Sequence, residues 1–133
     1  MGNTIIPLDN VYMYVYILFV KTIVFYKTLS GKCPIEKYLD TLTDMQVTKI
    51  TWTLKLIRET DQIPAKYFKK LVNTNEIWEV RVRVEKNAFR LLGFMQNQEL
   101  IILTNMFQKK AQKTSRKEIK LAEGRKKEYL NRR

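Results

Sequence analysis

The chain has 133 residues, 25 Lys+Arg against 13 Asp+Glu and a formal charge of +12, with no histidine. That length sets one domain, and an apolar fraction of 45% supplies a core, so disorder is excluded for the chain as a whole. Four glycines and three prolines exclude a collagen-like or low-complexity chain, and a lone cysteine, Cys33, excludes an internal disulfide and a zinc site.

Cysteine usage fits a reducing compartment, so a cytoplasmic location is expected. The missing histidines also remove imidazole-based triads, His-based metal hydrolysis and two-histidine ribonuclease mechanisms. Catalysis must then rest on Lys, Arg, Tyr or carboxylates, and neither metal nor cofactor is expected.

At the N-terminus, residues 11–20 (VYMYVYILFV) are uncharged and apolar, and TIVFY follows Lys21. A bilayer span needs about 20 apolar residues, and no basic residue precedes the run as in a signal peptide, so no membrane partner is expected. The β-branched and aromatic content reads as one long buried strand, or two. Met13 offers an alternative start. Residues 1–19 are taken as an apolar extension and 20–133 as a single domain.

Pro34 opens a short helix with Ile35, Tyr38, Leu39 and Leu42 on one face. Thr43 or Asp44 caps a second, whose stripe is Val47, Ile50, Leu54 and Ile57, widened by Trp52 and Leu56 and ending near Thr60. A loop to Asn75 carries Lys66, Lys69 and Lys70 beside Tyr67 and Phe68.

From Ile77 to Glu85 the period becomes two: Trp78, Val80, Val82 and Val84 alternate with Glu79, Arg81, Arg83 and Glu85, so both arginines leave the same face of a strand. Strands over 89–95 and 99–107 complete an antiparallel meander. A last helix from about Ser115 to Leu130 has a thin apolar face of Ile119, Ala122, Tyr129 and Leu130, and is expected to dock weakly.

Gln108 to Arg133 holds eleven basic and three acidic residues, net +8, which leaves +4 for the preceding 107. Such a pole points to a polyanion partner, because neutralising phosphates releases counterions, or to a solvated basic helix face.

The order strand, helix, helix, three strands, helix predicts an α+β two-layer domain. With Trp78-Glu79-Val80-Arg81, Phe89-Arg90-Leu91-Leu92, the run from Phe107 to Thr114, and Glu118-Ile119, Ala122 and Arg125 in this order, the chain resembles the RelE/ParE toxin superfamily, most closely its HigB-type, phage-related branch. The resemblance covers roughly residues 20–130. It departs at Ser115, where the family commonly has proline, which implies a looser start to the last helix.

The resemblance implies a type II toxin-antitoxin toxin: an endoribonuclease that cuts mRNA, usually on the translating ribosome, and is neutralised by a cognate helix-turn-helix antitoxin. Metal-free cleavage uses the substrate 2′-hydroxyl, with cations stabilising charge on phosphorus. Guanidinium forks suit phosphate oxygens, so Arg81, Arg83 and Arg90 are the first candidates for the catalytic site. A lysine crowded by other cations suits proton transfer, so Lys109, Lys110 and Lys113 are candidates for it, as is Tyr129, a phenol on the last helix.

Lys69, Lys70, Lys109, Lys110 and Arg116 are assigned to RNA or rRNA phosphates. The alternatives are solvated surface for Arg81 and Arg83, a paired buried charge, with Glu79 or Glu85, for Arg90, and phosphate binding without a part in cleavage for Lys69, Lys70, Lys109, Lys110 and Lys113. Trp52, Trp78 and Phe89 are read as core; Tyr67 and Phe68 have base stacking as their alternative. Two rival functions stand beside the nuclease, a ParE-like gyrase inhibitor and an inactive RNA-binding relative.

Overall fold

The computed structural model describes residues 20–132, so the expected strand over 11–19 lies outside the described residues. Within them the elements run β1 (Thr22–Phe25), α1 (Pro34–Leu39), α2 (Asp44–Glu59), β2 (Phe68–Lys70), β3 (Trp78–Val84), β4 (Asn87–Gln96), β5 (Leu100–Lys109) and α3 (Arg116–Leu130). They form an α+β fold around one five-stranded sheet of order β1-β5-β4-β3-β2, in which β1 runs parallel to β5 and every other pair is antiparallel.

Local chemistry explains the boundaries. Proline occupies the first turn of α1, where its missing N–H costs nothing. At α2, Thr43 and Gln46 form a reciprocal capping box. Ser115 caps α3 by accepting from the Lys117 amide, so the departure from proline there supplies a cap in place of the looser start expected. Asn97 and Gln98 take left-handed backbone in the loop joining β4 to β5.

The period-two pattern of β3 separates the two faces. Val80, Val82 and Val84 join Leu91, Ile101 and Leu103 beneath α1 and α2, whose Ile35, Ile50 and Ile57 fill the main core. The opposite face carries Leu92 with Ile77, and Phe94 with Ile102; α3 covers these through Ala122 and Tyr129. Helices therefore lie on both faces of the sheet, which corrects the two-layer expectation. The near-continuous apolar run of β4, Phe89 to Phe94 interrupted by Arg90 and Gly93, is the pattern of a strand buried on both sides.

A bulge sets the register: Leu92 faces Asn105 while Gly93 faces Leu103, so Thr104 is the extra residue on β5. Glycine is needed at position 93, because a Cβ there would overlap the Ile102 carbonyl. The Thr104 carbonyl accepts from Arg125 Nη1 of α3 at 2.7 Å. Asn105 Nδ2 donates to Glu118 at 2.9 Å, and Tyr26 OH donates to Glu128 at 2.6 Å. These polar ties, with Ala122 wholly buried, dock α3 firmly, against the weak docking expected from its thin apolar stripe.

Candidate nucleic-acid cleft

Covering only part of the second sheet face, α3 leaves the rest open, and the ladder dictates what stands there. Arg81 lies directly opposite Arg90, Lys69 opposite Glu79, and Ala88 opposite Lys109. Side chains opposite one another share a face, so β2, β3, β4 and β5 each contribute a cation to one surface. Two arginines facing each other across a ladder repel, and Glu79 between them relieves that repulsion.

Glu79 is 2% exposed and meets two cations and one hydroxyl donor. Its Oε1 lies 3.4 Å from Arg81 Nε, its Oε2 lies 3.6 Å from Arg90 Nε, and it accepts the Thr114 hydroxyl from the loop before α3. Arg90, 8% exposed, also donates from Nη1 to the Phe89 carbonyl at 3.0 Å, while its Nε is buried without a hydrogen-bond partner among the described residues. Burial holds the Arg90 guanidinium below its usual value, with Glu79 pulling the other way and Arg81 and Arg83 adding to the depression. A buried, partly unsatisfied cation beside a single carboxylate leaves excess positive field at the surface above it.

Above this cluster is a cleft of about 560 Å³, lined by Lys69, Arg81 and Lys109 from the sheet, Lys113 and Thr114 from the loop, and Arg116 and Lys120 from α3. Glu79 forms part of its floor, and Glu123 stands at the rim, where it accepts the Asn75 amide at 2.9 Å. Burial holds the Lys109 ammonium below the ordinary lysine range, and Arg90, Arg81 and Lys69 push the same way against the opposing pull of Glu79. A smaller hollow of about 250 Å³ shares Lys109 and Lys113 with the cleft and adds Lys110 and Glu118.

Of the residues singled out from sequence, Lys69, Arg81, Lys109, Lys113 and Arg116 meet in the cleft, and Arg90 sits beneath it. Arg83 is exposed on the same strand face, opposite Ala88 in the ladder. Lys70 turns away from Lys69 and pairs with Glu76 at 3.6 Å, and Lys110 lines only the smaller hollow. Tyr129 is placed elsewhere: its ring packs edge-on against Phe94 at 5.7 Å and lies under the Arg132 guanidinium, in the apolar seam between α3 and the sheet. Trp52 corrects its assignment to the core, since it is 47% exposed, whereas Phe89 is buried and Trp78 stacks on Phe68 at 4.7 Å.

Glu79, Thr114 and Lys120 were not assigned to the site from sequence. Glu79 had a legible signal, its period-two phase with Arg81, and Thr114 closes the Phe107–Thr114 run on which the resemblance rests; Lys120 had none.

Fold and cleft together define an α+β protein whose sheet and C-terminal helix frame an open cationic groove around one buried carboxylate. The family model described as "Phage derived protein Gp49-like (DUF891)" matches residues 37–127, and the chain belongs to that family, a group of RelE-like and toxin-like proteins. The match takes in every residue named above as lining the cleft. A search of curated proteins finds no match for the chain. Among the described residues, no helix is long and apolar enough to cross a membrane.

Proposed function

We propose that the protein is a HigB-type toxin that cleaves mRNA in this cleft, on the ribosome, and is held inactive by a cognate helix-turn-helix antitoxin. The observation that carries the proposal is the convergence of Lys69, Arg81, Lys109, Lys113 and Arg116 on one groove floored by Arg90 and Glu79. Membership of a toxin-like family supports it.

The chemistry follows from the residues. The ribose 2′-oxygen attacks the adjacent phosphorus, the bond from phosphorus to the 5′-oxygen breaks, and a cyclic phosphate and a 5′-hydroxyl result. Arg81, steered by Glu79, presents its fork to the non-bridging oxygens, and buried Arg90 adds field from below without touching substrate. Donors fixed before the reaction are worth about 3 kcal/mol each in such a role. One proton transfer falls to Lys109: with its pKa held down, it is a stronger acid when charged and more often a free amine than an ordinary lysine. Water completes the other transfer. Lys69, Lys113 and Arg116 hold the flanking phosphates.

An acidic antitoxin segment laid over the same cations neutralises the site. The test is incubation of the purified protein with a message, with and without ribosomes. Discrete cleavage that requires ribosomes and is lost in Arg81→Met supports the proposal; an intact message under both conditions overturns it, and DNA damage on expression without RNA cleavage then favours the gyrase-inhibitor reading.

A further inference from the structure

Outside the cleft, among the described residues, the exposed surface carries one aromatic pair. Trp52 on α2 and Tyr67, just before β2, meet edge to face with centroids 5.8 Å apart and an interplanar angle of 73°. Lys49 Nζ stands 5.0 Å from the Trp52 centroid, and Lys66 Nζ stands 5.0 Å from that of Tyr67. The result is a half-exposed indole bearing one ammonium beside a phenol bearing another. The helical stripe of α2 buries Ile50, Thr53 and Ile57, and Trp52 falls on its flank.

The pair adjoins the cleft through the backbone. The Tyr67 carbonyl accepts the Arg81 amide at 2.8 Å, and Lys69, two residues on, lines the cleft, about 7 Å further along an extended strand. α2 lies on the sheet face opposite the cleft, so the route from the pair to the groove runs round the β2 edge, past Lys66 and Lys69. Ammonium groups over exposed rings are held by only about 0.5–1 kcal/mol, so a planar base can take a ring face while the lysine moves to the phosphate beside it.

We infer that Trp52 and Tyr67, with Lys49 and Lys66, form a stacking platform for a base of single-stranded RNA flanking the segment held in the cleft. The inference rests on the proposed RNA-cleaving function for its choice of occupant and adds a binding subsite to it. An apolar protein ligand is a poorer match, because two lysines crown the rings. An acidic peptide would satisfy those lysines and leave the aromatic faces unused.

The test uses the full chain and 2′-O-methyl hexa-adenylate, which binds as single-stranded RNA and lacks the attacking hydroxyl. Inorganic polyphosphate and polyglutamate serve as comparisons that carry charge without bases. Trp52→Ala is expected to weaken hexa-adenylate by about fivefold or more. It should leave polyphosphate and polyglutamate affinities unchanged, and Trp52→Phe should restore most of the loss. Lys66→Ala should lower the dependence of log affinity on log salt by about 0.7, whereas Trp52→Ala should not alter it.

In a Trp78→Phe background the remaining indole is Trp52, whose fluorescence should be quenched by hexa-adenylate and not by polyphosphate. This readout needs no substitution at the platform, so it holds if Trp52→Ala folds poorly. Equal losses for all three ligands, or no quenching, overturn the platform. Because hexa-adenylate binding is read without cleavage, loss of the platform with message cleavage intact refutes this inference alone. Base-dependent binding in a protein that cuts no message refutes the nuclease and leaves the platform standing.

Discussion

Replacing Glu79 by Gln keeps the side chain's shape and removes its charge, which separates two consequences of one carboxylate. In the native protein it lies 3.4 Å from Arg81 and 3.6 Å from Arg90, and the latter is almost wholly buried. Removing one partner of a buried ion pair costs about 3–5 kcal/mol, because the other is left charged in a low dielectric. An amide oxygen still accepts from Thr114, so the lower end, about 3 kcal/mol, is expected, or roughly 10 °C in Tm for a domain of this size. A negative charge about 6 Å from a bound phosphate, at an effective dielectric of about 40, opposes binding by about 1.4 kcal/mol. Glu79→Gln should therefore destabilise the fold while tightening polyanion binding about tenfold. Urea unfolding at constant m-value reads the first effect, and titration with hexa-adenylate in low salt reads the second. Adding Arg90→Met should recover part of the lost stability, since the orphaned charge is gone. A Glu79→Gln protein within 1 kcal/mol of wild type, or one that binds polyanions more weakly, would refute the clamp.

Other expectations follow from single contacts. Because the Lys109 pKa is lowered and a bound phosphate raises it again, RNA binding should take up a proton in the pH window between the two values and weaken as pH rises through that window. Calorimetry in buffers of different ionisation enthalpy should show this uptake in wild type and not in Lys109→Met. Tyr129→Phe should cut RNA at the wild-type rate, since its ring belongs to the seam with Phe94, and single-turnover cleavage would show otherwise. Arg125→Met removes a 2.7 Å hydrogen bond to the bulged Thr104 carbonyl; it should cost about 1–2 kcal/mol and raise amide exchange in α3. Gly93→Ala should cost about 3 kcal/mol or more in thermal unfolding, because its methyl meets the β5 backbone.

Much of this arrangement was legible in the residue pattern. The alternation from Trp78 to Glu85 placed Arg81 and Arg83 together, and the Thr43 cap and Pro34 marked the helix starts because each is a local backbone effect. The short strand Phe68–Lys70 was not legible: three residues carry too little period, and only pairing with β3 defines them. Lys109, Lys110 and Lys113 are alike in sequence, and burial beside Arg90 alone distinguishes Lys109. The second covered face was obscured because α3 is tied by Arg125, Glu118 and Glu128 as much as by apolar residues, and periodicity registers only the latter. Trp52 satisfied the helical stripe in number but fell on its edge, where a shift of a few tens of degrees moves an indole from core to solvent.

Cleavage in the cleft is tested most directly by the chemistry of the ends produced when purified wild-type protein and an Arg81→Met/Lys109→Met variant act on ribosome-bound message. Attack by the 2′-hydroxyl predicts 5′-hydroxyl ends opposite cyclic or 3′-phosphates for wild type, and at least a hundredfold loss in the double variant if each residue contributes its expected few kcal/mol. Ends with 5′-phosphates, or equal cutting by the variant, would contradict it.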